Sequence, residues 1–122
     1  MEIRQQIVVF DAADLDTESG FWAGVLGGRV EAEDDWHSVY DAQGRPRMGF
    51  QLAPNHVPPE WPDGTPQQIH LDLYVDDPAT AEQEVLALGA RLLQGTHDLD
   101  VDDGFRVYAD PAGHPFCLCW DA

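Results

Sequence analysis

Three side chains able to do chemistry occupy alternate positions within the stretch Gln68–Asp77: His70, Asp72 and Tyr74. Side chains of a β-strand alternate between its two faces, so an imidazole, a carboxylate and a phenol share one face here. The intervening positions are all apolar: Ile69, Leu71, Leu73 and Val75. A strand with one apolar and one polar face directs the polar face either to bulk water or into a ligand pocket.

Two cysteines, Cys117 and Cys119, also lie two residues apart, within the apolar segment PFCLCW. Such strand neighbours are about 6.5 Å apart and point in parallel, which is unfavourable for a disulfide. We therefore expect reduced thiols. We interpret Cys117 as a small buried side chain rather than a nucleophile, because the sequence places no evident base beside it.

Helix and strand signals place these residues on predicted elements. Asp77 followed by Pro78 is typical of a helix N-cap and first position, and Gly89 follows the last apolar residue. Asp14 or Asp16 caps an earlier helix. The predicted order is strand 3–10, a helix ending at Leu26, strands 29–33, 36–41 and 47–53, a linker, strand 68–75, helix 78–88, and strands 91–95, 105–110 and 115–120.

The order strand, helix and three strands occurs twice, and the residues repeat with it. Leu26-Gly27-Gly28-Arg29 matches Leu88-Gly89-Ala90-Arg91 at an offset of 88 − 26 = 62, and Phe50-Gln51-Leu52 resembles Phe116-Cys117-Leu118. The repeat predicts an α+β fold of two tandem βαβββ modules, at about 1–53 and 67–122, joined by a proline-rich linker at 54–66. Side by side, the modules would form a curved eight-stranded cup whose concave face binds a ligand.

Length and charge limit the possible partners. The chain has 122 residues with 23 acidic and six basic side chains, and its net charge is −17. Nucleic acid is excluded as a partner because phosphate binding needs a basic surface. The sequence has no apolar stretch of membrane-spanning length and no signal-peptide pattern, so we expect a cytoplasmic protein that does not enter membranes. The acidic charge serves solubility or attracts a cationic ligand.

Three segments, FWAGVLGG, IHLDLYVDDP and DPAGHPFCL, give the chain a resemblance to the vicinal oxygen chelate superfamily, across nearly its whole length. That superfamily includes glyoxalase I, extradiol dioxygenases and bleomycin-resistance proteins. The resemblance implies the cup described above, a small-molecule ligand and a homodimer. The matching segments are specific for the fold and carry little information about a reaction.

Metal-dependent members carry His or Gln on the first strand of each half and Glu on the last. The resemblance transfers these positions to His70 and Cys117 in the second half, and to Ile7 or Val8 and a residue near Gln51 in the first. We therefore expect no bound divalent metal or other cofactor, with His70, Gln51 and Cys117 as weak candidate ligands.

Two functions remain open. The first is a metal-free binding protein similar to the bleomycin-resistance branch, with a cationic or aromatic ligand held by the cup. The second is an enzyme of the glyoxalase or dioxygenase type in which His70 acts as acid, base or metal ligand. The expected ligand-binding residues are Trp36, Gln51, His70, Asp72, Tyr74 and Cys117, with Asp72 and Tyr74 in the pocket or at its rim.

A cluster of four aspartates follows the sixth predicted strand. Its residues are Asp98, Asp100, Asp102 and Asp103. A calcium loop needs a spacing such as D-x-D-x-D-G followed by a distal glutamate, and the second half of that pattern is missing. We interpret the cluster as a solvated loop, with an acidic lip at the pocket mouth as the alternative.

Overall fold

The structure, a computed structural model, describes residues 1–121. The chain divides into two compact units, of which the first ends at His56 and the second begins at Val57. Most of the proline-rich segment 54–66 thus belongs to the second unit, and it contains no helix or strand.

The elements of the first unit are β1 Val8–Ala12, α1 Leu15–Leu26, β2 Arg29–Ala32, β3 Trp36–Tyr40 and β4 Pro46–Leu52. Those of the second are β5 Leu71–Tyr74, α2 Pro78–Leu88, β6 Arg91–Gln94, β7 Gly104–Ala109 and β8 Pro115–Trp120.

Each unit contains one open four-stranded sheet, with order β1-β4-β3-β2 in the first and β5-β8-β7-β6 in the second. The first strand pairs in parallel with the last, and the remaining neighbours are antiparallel. The predicted fold class, α+β with two βαβββ modules, is confirmed. Within the described residues, no helix is long and apolar enough to cross a membrane.

Edge-to-face aromatic contacts form the centre of the first module. The Phe10 ring lies 5.8 Å from Trp22 and 5.4 Å from Phe50, measured between centroids. These three side chains join β1, α1 and β4. Trp22 and Phe50 have no exposed surface, so the apolar stripe of the helix is covered by one face of its sheet.

A polar contact attaches the helix to the sheet in the second module. Arg106 Nη1 on β7 donates to Glu82 Oε1 on α2 at 2.8 Å, and the Tyr108 hydroxyl donates to the same oxygen at 2.8 Å. Burial and this carboxylate raise the pKa of Tyr108 above its usual range. Because strand side chains alternate, α2 covers the face of Arg106 and Tyr108 and leaves the opposite face of the sheet available.

The N-cap signals are confirmed in both helices. Asp14 accepts a hydrogen bond from the Thr17 amide, and Asp77 accepts one from the Thr80 amide. Cap residues of this kind satisfy donors that the first helical turn leaves without a partner. Hydrogen bonding to threonine lowers the pKa of both carboxyl groups.

Two first strands are shorter than predicted. The expected strand 3–10 is observed at Val8–Ala12, and the expected strand 68–75 at Leu71–Tyr74. Both lie at the edge of their sheet, and β1 extends only as far as its pairing with Met48–Leu52. In the second module apolar alternation begins before β5, at Ile69, but the pairing with β8 begins only at Leu71.

The two modules differ by one residue in helix length, which resolves the register of the repeat. The N-caps are 77 − 14 = 63 residues apart and the C-caps 89 − 27 = 62, because α1 has 12 residues and α2 has 11. The first strands precede the helices, so the offset of 63 applies to them. His70 therefore corresponds to Ile7.

Matching turns precede the last strand of each module. Asp41 accepts backbone hydrogen bonds from residues two and four positions on, and Asp110 does the same. Gly44 and Gly113 close the two turns at positive φ, 80° and 92°. A Cβ at Gly44 would meet no atom within 4 Å, whereas one at Gly113 would lie 2.5 Å from Pro58 Cβ.

We expect Gly44→Ala to lower the free energy of unfolding by about 1 kcal/mol, the cost of a left-handed conformation. Gly113→Ala should cost about 2 kcal/mol or more, because it adds a steric clash with Pro58 to the same strain. Chemical denaturation of the two variants beside the unchanged chain measures both. Equal losses would show that Pro58 does not restrain the second turn.

Candidate functional site

A cavity of about 390 Å³ opens on the second sheet. It is lined by His70, Asp72, Tyr74, Gly104, Phe105, Cys117, Cys119, Trp120 and Asp121. Four of the residues singled out in the sequence, His70, Asp72, Tyr74 and Cys117, therefore lie together. No lysine or arginine is among the described residues of the lining.

Strand pairing explains why these side chains meet. In the parallel pair, Asp72 of β5 lies opposite Cys117 of β8, and Tyr74 lies opposite Cys119. On the other side of β8, Phe105 of β7 also lies opposite Cys119. Directly opposed residues share a face. Tyr74 and Phe105 thus flank Cys119, on strands about 9.5 Å apart.

Asp72 occupies the polar centre of the cavity. Its Oδ1 lies 3.2 Å from His70 Nε2, and both side chains are nearly half exposed. The other ring nitrogen of His70, Nδ1, lies 3.5 Å from Gln67 Nε2. The imidazole is thus positioned between an amide and a carboxylate, just before β5 begins.

Both thiols are free and buried. Burial, and secondarily the charge of Asp72, raises the pKa of Cys117 to about 12. Burial and Asp72 also raise the pKa of Cys119. The nucleophile in thiol chemistry is the thiolate, and at neutral pH these sulfurs keep their protons. The raised pKa therefore disfavours Cys117 as a nucleophile, and both cysteines are free thiols, as expected.

The proline-rich segment packs against the two thiols of the cavity lining. Trp61 packs, with Leu93, against the cluster of Val107, Cys117 and Cys119. The segment has no helix or strand periodicity, and we predicted it to be the linker. The Trp61 side chain contacts the cluster, although Trp61 is not among the residues that line the cavity.

The acidic loop between β6 and β7 is attached to the cavity wall at two points. Trp120 Nε1 donates to the Val101 carbonyl at 2.8 Å, and the Phe105 amide donates to His97 Nδ1 at 3.2 Å. The His97 and Phe105 rings also meet edge to face, 5.3 Å apart. The loop therefore lies beside two lining aromatics, although none of its four aspartates lines the cavity.

The donor set decides which metal ions fit the cavity. His70, Asp72 and Cys117 each offer one donor atom, and these atoms all lie within 4.8 Å of one another. Mg²⁺ and Mn²⁺ prefer oxygen ligands, whereas a nitrogen, an oxygen and a sulfur suit Zn²⁺ or a similar ion. These residues fit an ion of the zinc class and not the hard ions.

The remaining predicted residues, Trp36 and Gln51, lie in the first module, directly opposed on β3 and β4. Gln51 is not the counterpart of Cys117. Val9 pairs with Gly49 as Asp72 pairs with Cys117, so the counterpart is Gly49. Matching the FQL segment to FCL displaced the alignment of β4 with β8 by two residues. A displacement of two keeps a side chain on the same face of the strand but assigns it to the wrong position along it.

The indole of Trp36 takes the place of a side chain at Gly49. A Cβ at Gly49 would lie 2.5 Å from Trp36 Cζ2, and Trp36 Nε1 donates to Ser38 at 3.1 Å. At the position where the second module carries Cys117, the first module thus has an aromatic ring over bare backbone.

Sequence reasoning did not select five lining residues: Gly104, Phe105, Cys119, Trp120 and Asp121. Phe105 joins the cavity lining because it pairs with Cys119, a residue of a distant segment. A signal was available for Cys119, because it shares the face of Cys117 in strand alternation. Nothing in the local sequence connects the loop end at Gly104 with Trp120.

Removing the charge of Asp72 should make Cys117 more reactive. The Asp72→Asn variant is expected to react faster with iodoacetamide at pH 8 to 9, because the carboxylate helps to keep the thiol protonated. Mass spectrometry of the alkylated native protein measures the rate. Asp121→Asn, another lining aspartate, is the control and should leave the rate unchanged. A rate unaffected by Asp72→Asn would exclude its charge as a cause of the low reactivity.

Comparison with known proteins places this geometry in a family. The model of the glyoxalase-like domain matches residues 7–119. Among curated proteins, none matches the chain in sequence.

Solved structures agree with the family match in their fold. The fosfomycin resistance protein FosX from Listeria monocytogenes is similar with a TM-score of 0.71 at 11% identity, covering 100% of this chain and 96% of its own. A glyoxalase/bleomycin resistance protein/dioxygenase family enzyme from Burkholderia phytofirmans PsJN has a TM-score of 0.69 at 17% identity, covering 95% and 97%. A glyoxalase-related enzyme from Fulvimarina pelagi has a TM-score of 0.68 at 18% identity, covering 98% and 89%. The chain belongs to the glyoxalase-like domain family, within the vicinal oxygen chelate superfamily.

Proposed function

We propose that the second module binds a small organic cation in the cavity beside Asp72. The observation that carries this proposal is the lining itself, which combines two carboxylates and three aromatic rings with no lysine or arginine among its described residues. The cavity volume of about 390 Å³ suits a small ligand.

Charge supports a cation over an anion. Asp72 and Asp121 line the cavity, and the acidic loop is anchored beside it through Trp120. An anionic ligand would approach two carboxylates with only His70 as a compensating group. A cation gains from both carboxylates, and the net charge of −17 favours its encounter.

The aromatic rings support an organic cation over a simple hydrated one. Tyr74 is 70% exposed and Phe105 is 39% exposed, so both present ring surface on either side of Cys119. Strands about 9.5 Å apart leave room for a group between two rings. A cation over an aromatic face gains about 0.5–2 kcal/mol, depending on desolvation.

Three compounds of one shape test the charge preference: phenethylammonium, 2-phenylethanol and phenylacetate. We expect the ammonium compound to stabilise the protein most in thermal denaturation, followed by the neutral alcohol, with no stabilisation by the carboxylate. The affinity for the ammonium compound, measured by calorimetry, should fall as the salt concentration rises. Preferential stabilisation by phenylacetate would overturn the proposal.

Single substitutions distinguish binding in the cavity from a general effect of the net charge. Asp72→Asn and Tyr74→Ala should each weaken ammonium binding about tenfold, since each removes one direct contact. Glu84→Gln is the matched control, because Glu84 is exposed on α2 and α2 covers the other face of the sheet. If Glu84→Gln weakens binding as much as Asp72→Asn, the effect belongs to net charge and not to this cavity.

A specific contact favours an enzyme as the second candidate. The 3.2 Å approach of His70 Nε2 to Asp72 is the geometry in which a carboxylate orients an imidazole for proton transfer. We would then expect the protein to convert a small carbonyl or catechol compound, and NMR would monitor the conversion. His70→Gln should lower kcat by about 10²-fold or more, whereas His114→Gln, in the Asp110–Gly113 turn region, should leave it unchanged. Conversion unaffected by His70→Gln would exclude this role.

A further inference from the structure

The polar centre of the cavity has the donor arrangement of a metal site with a sulfur ligand. We propose that His70, Asp72 and Cys117 together bind a divalent ion of the zinc class, all three donors coming from the second module. This inference rests on the three donor atoms, of which only Asp72 is also used by the proposed organic-cation site, and it needs none of the aromatic rings.

The distances carry the first step of the argument. In a tetrahedral zinc site with bonds of about 2.0–2.3 Å, neighbouring ligand atoms lie about 3.3–3.6 Å apart. His70 Nε2 and Asp72 Oδ1 are 3.2 Å apart, and the donors of all three residues lie within 4.8 Å. Bringing the widest separation, 4.8 Å, to such an edge requires the donor atoms to move closer by about 1.2 Å when the ion binds.

Strand register carries the second step. Asp72 and Cys117 are directly opposed in the parallel pair of β5 and β8, and His70 precedes Asp72 by two positions. Strand pairing thus holds Asp72 and Cys117 side by side before any ion binds, and His70 lies just before the start of β5. Three protein ligands, with a fourth position left to water or a ligand, is the arrangement of catalytic zinc sites.

Donor chemistry carries the third step. Thiolate and imidazole select zinc-class ions, and carboxylate tolerates them, whereas Mg²⁺ and Mn²⁺ discriminate against sulfur. This alters the expectation of no metal, which considered only the four positions implied by family resemblance. Asp72 is not one of those positions, yet the structure places its carboxylate between His70 and the thiol of Cys117.

Co²⁺ is the probe of choice, since thiolate coordination produces a charge-transfer band in the near ultraviolet and tetrahedral geometry produces strong visible bands. Tag-free, chelator-treated and reduced protein is titrated with Co²⁺, and then with Zn²⁺ in competition. We expect one equivalent of Co²⁺ to bind with both features, and Zn²⁺ to displace it. Mg²⁺ and Mn²⁺ at the same concentration should not displace it. Absence of the charge-transfer band would overturn the proposal.

Variants assign the ligands. Cys117→Ser should abolish the charge-transfer band, and His70→Ala and Asp72→Asn should weaken Co²⁺ binding by about tenfold or more. Cys119→Ser is the matched control, being a buried thiol on the same strand face, and should retain the band. A band that survives Cys117→Ser, or disappears in Cys119→Ser, would contradict the assignment. Thermal denaturation confirms that each variant is folded, and Cys117→Ala provides a second test should Cys117→Ser fail to fold.

Tyr74→Ala distinguishes this inference from the proposed function. The phenol is not among the three donors, so this variant should bind Co²⁺ as the unchanged chain does while losing affinity for phenethylammonium. Loss of Co²⁺ binding in Tyr74→Ala would contradict the three-residue site. If phenethylammonium fails to bind the unchanged chain, only the organic-cation proposal is overturned.

Discussion

The parallel pairing of β5 with β8 is the constraint on which the site depends. It sets Asp72 opposite Cys117, two residues separated by 117 − 72 = 45 positions in the chain. The polar face of β5 would otherwise project from an edge strand into water. Pairing with β8, which is buried at every position, gives that face a floor of two thiols and an aromatic neighbour on β7.

Asp72 concentrates negative charge where the sheet offers little to offset it. Its described neighbours are an imidazole at 3.2 Å and two protonated thiols whose pKa it helps to raise. A carboxylate in such surroundings is stabilised by any positive group that reaches it. An organic ammonium group and a zinc-class ion are two ways to meet the same electrostatic demand, and the two proposals follow from that common cause.

The two modules show how one backbone plan carries different chemistry. Their helices begin at capping aspartates and their last strands follow matching aspartate turns. At the positions of His70 and Cys117, however, the first module has Ile7 and Gly49. The indole of Trp36 lies over that glycine. Both modules have the same scheme of strand pairing. At these two positions, the polar donors lie in the second module.

The sequence by itself determined the fold class, both helices, the repeat and the shared face of His70, Asp72 and Tyr74. Each of these follows from local rules, since caps, alternation and a repeated segment are readable from neighbouring residues. Tertiary structure decided the limits of β1 and β5, the counterpart of Cys117 and the place of Phe105 in the cavity. Those features depend on which distant strand supplies the partner and in what register, and a two-residue shift leaves every side chain on the same face. The sequence therefore predicted which way the side chains point, and only the folded sheet decided which of them meet.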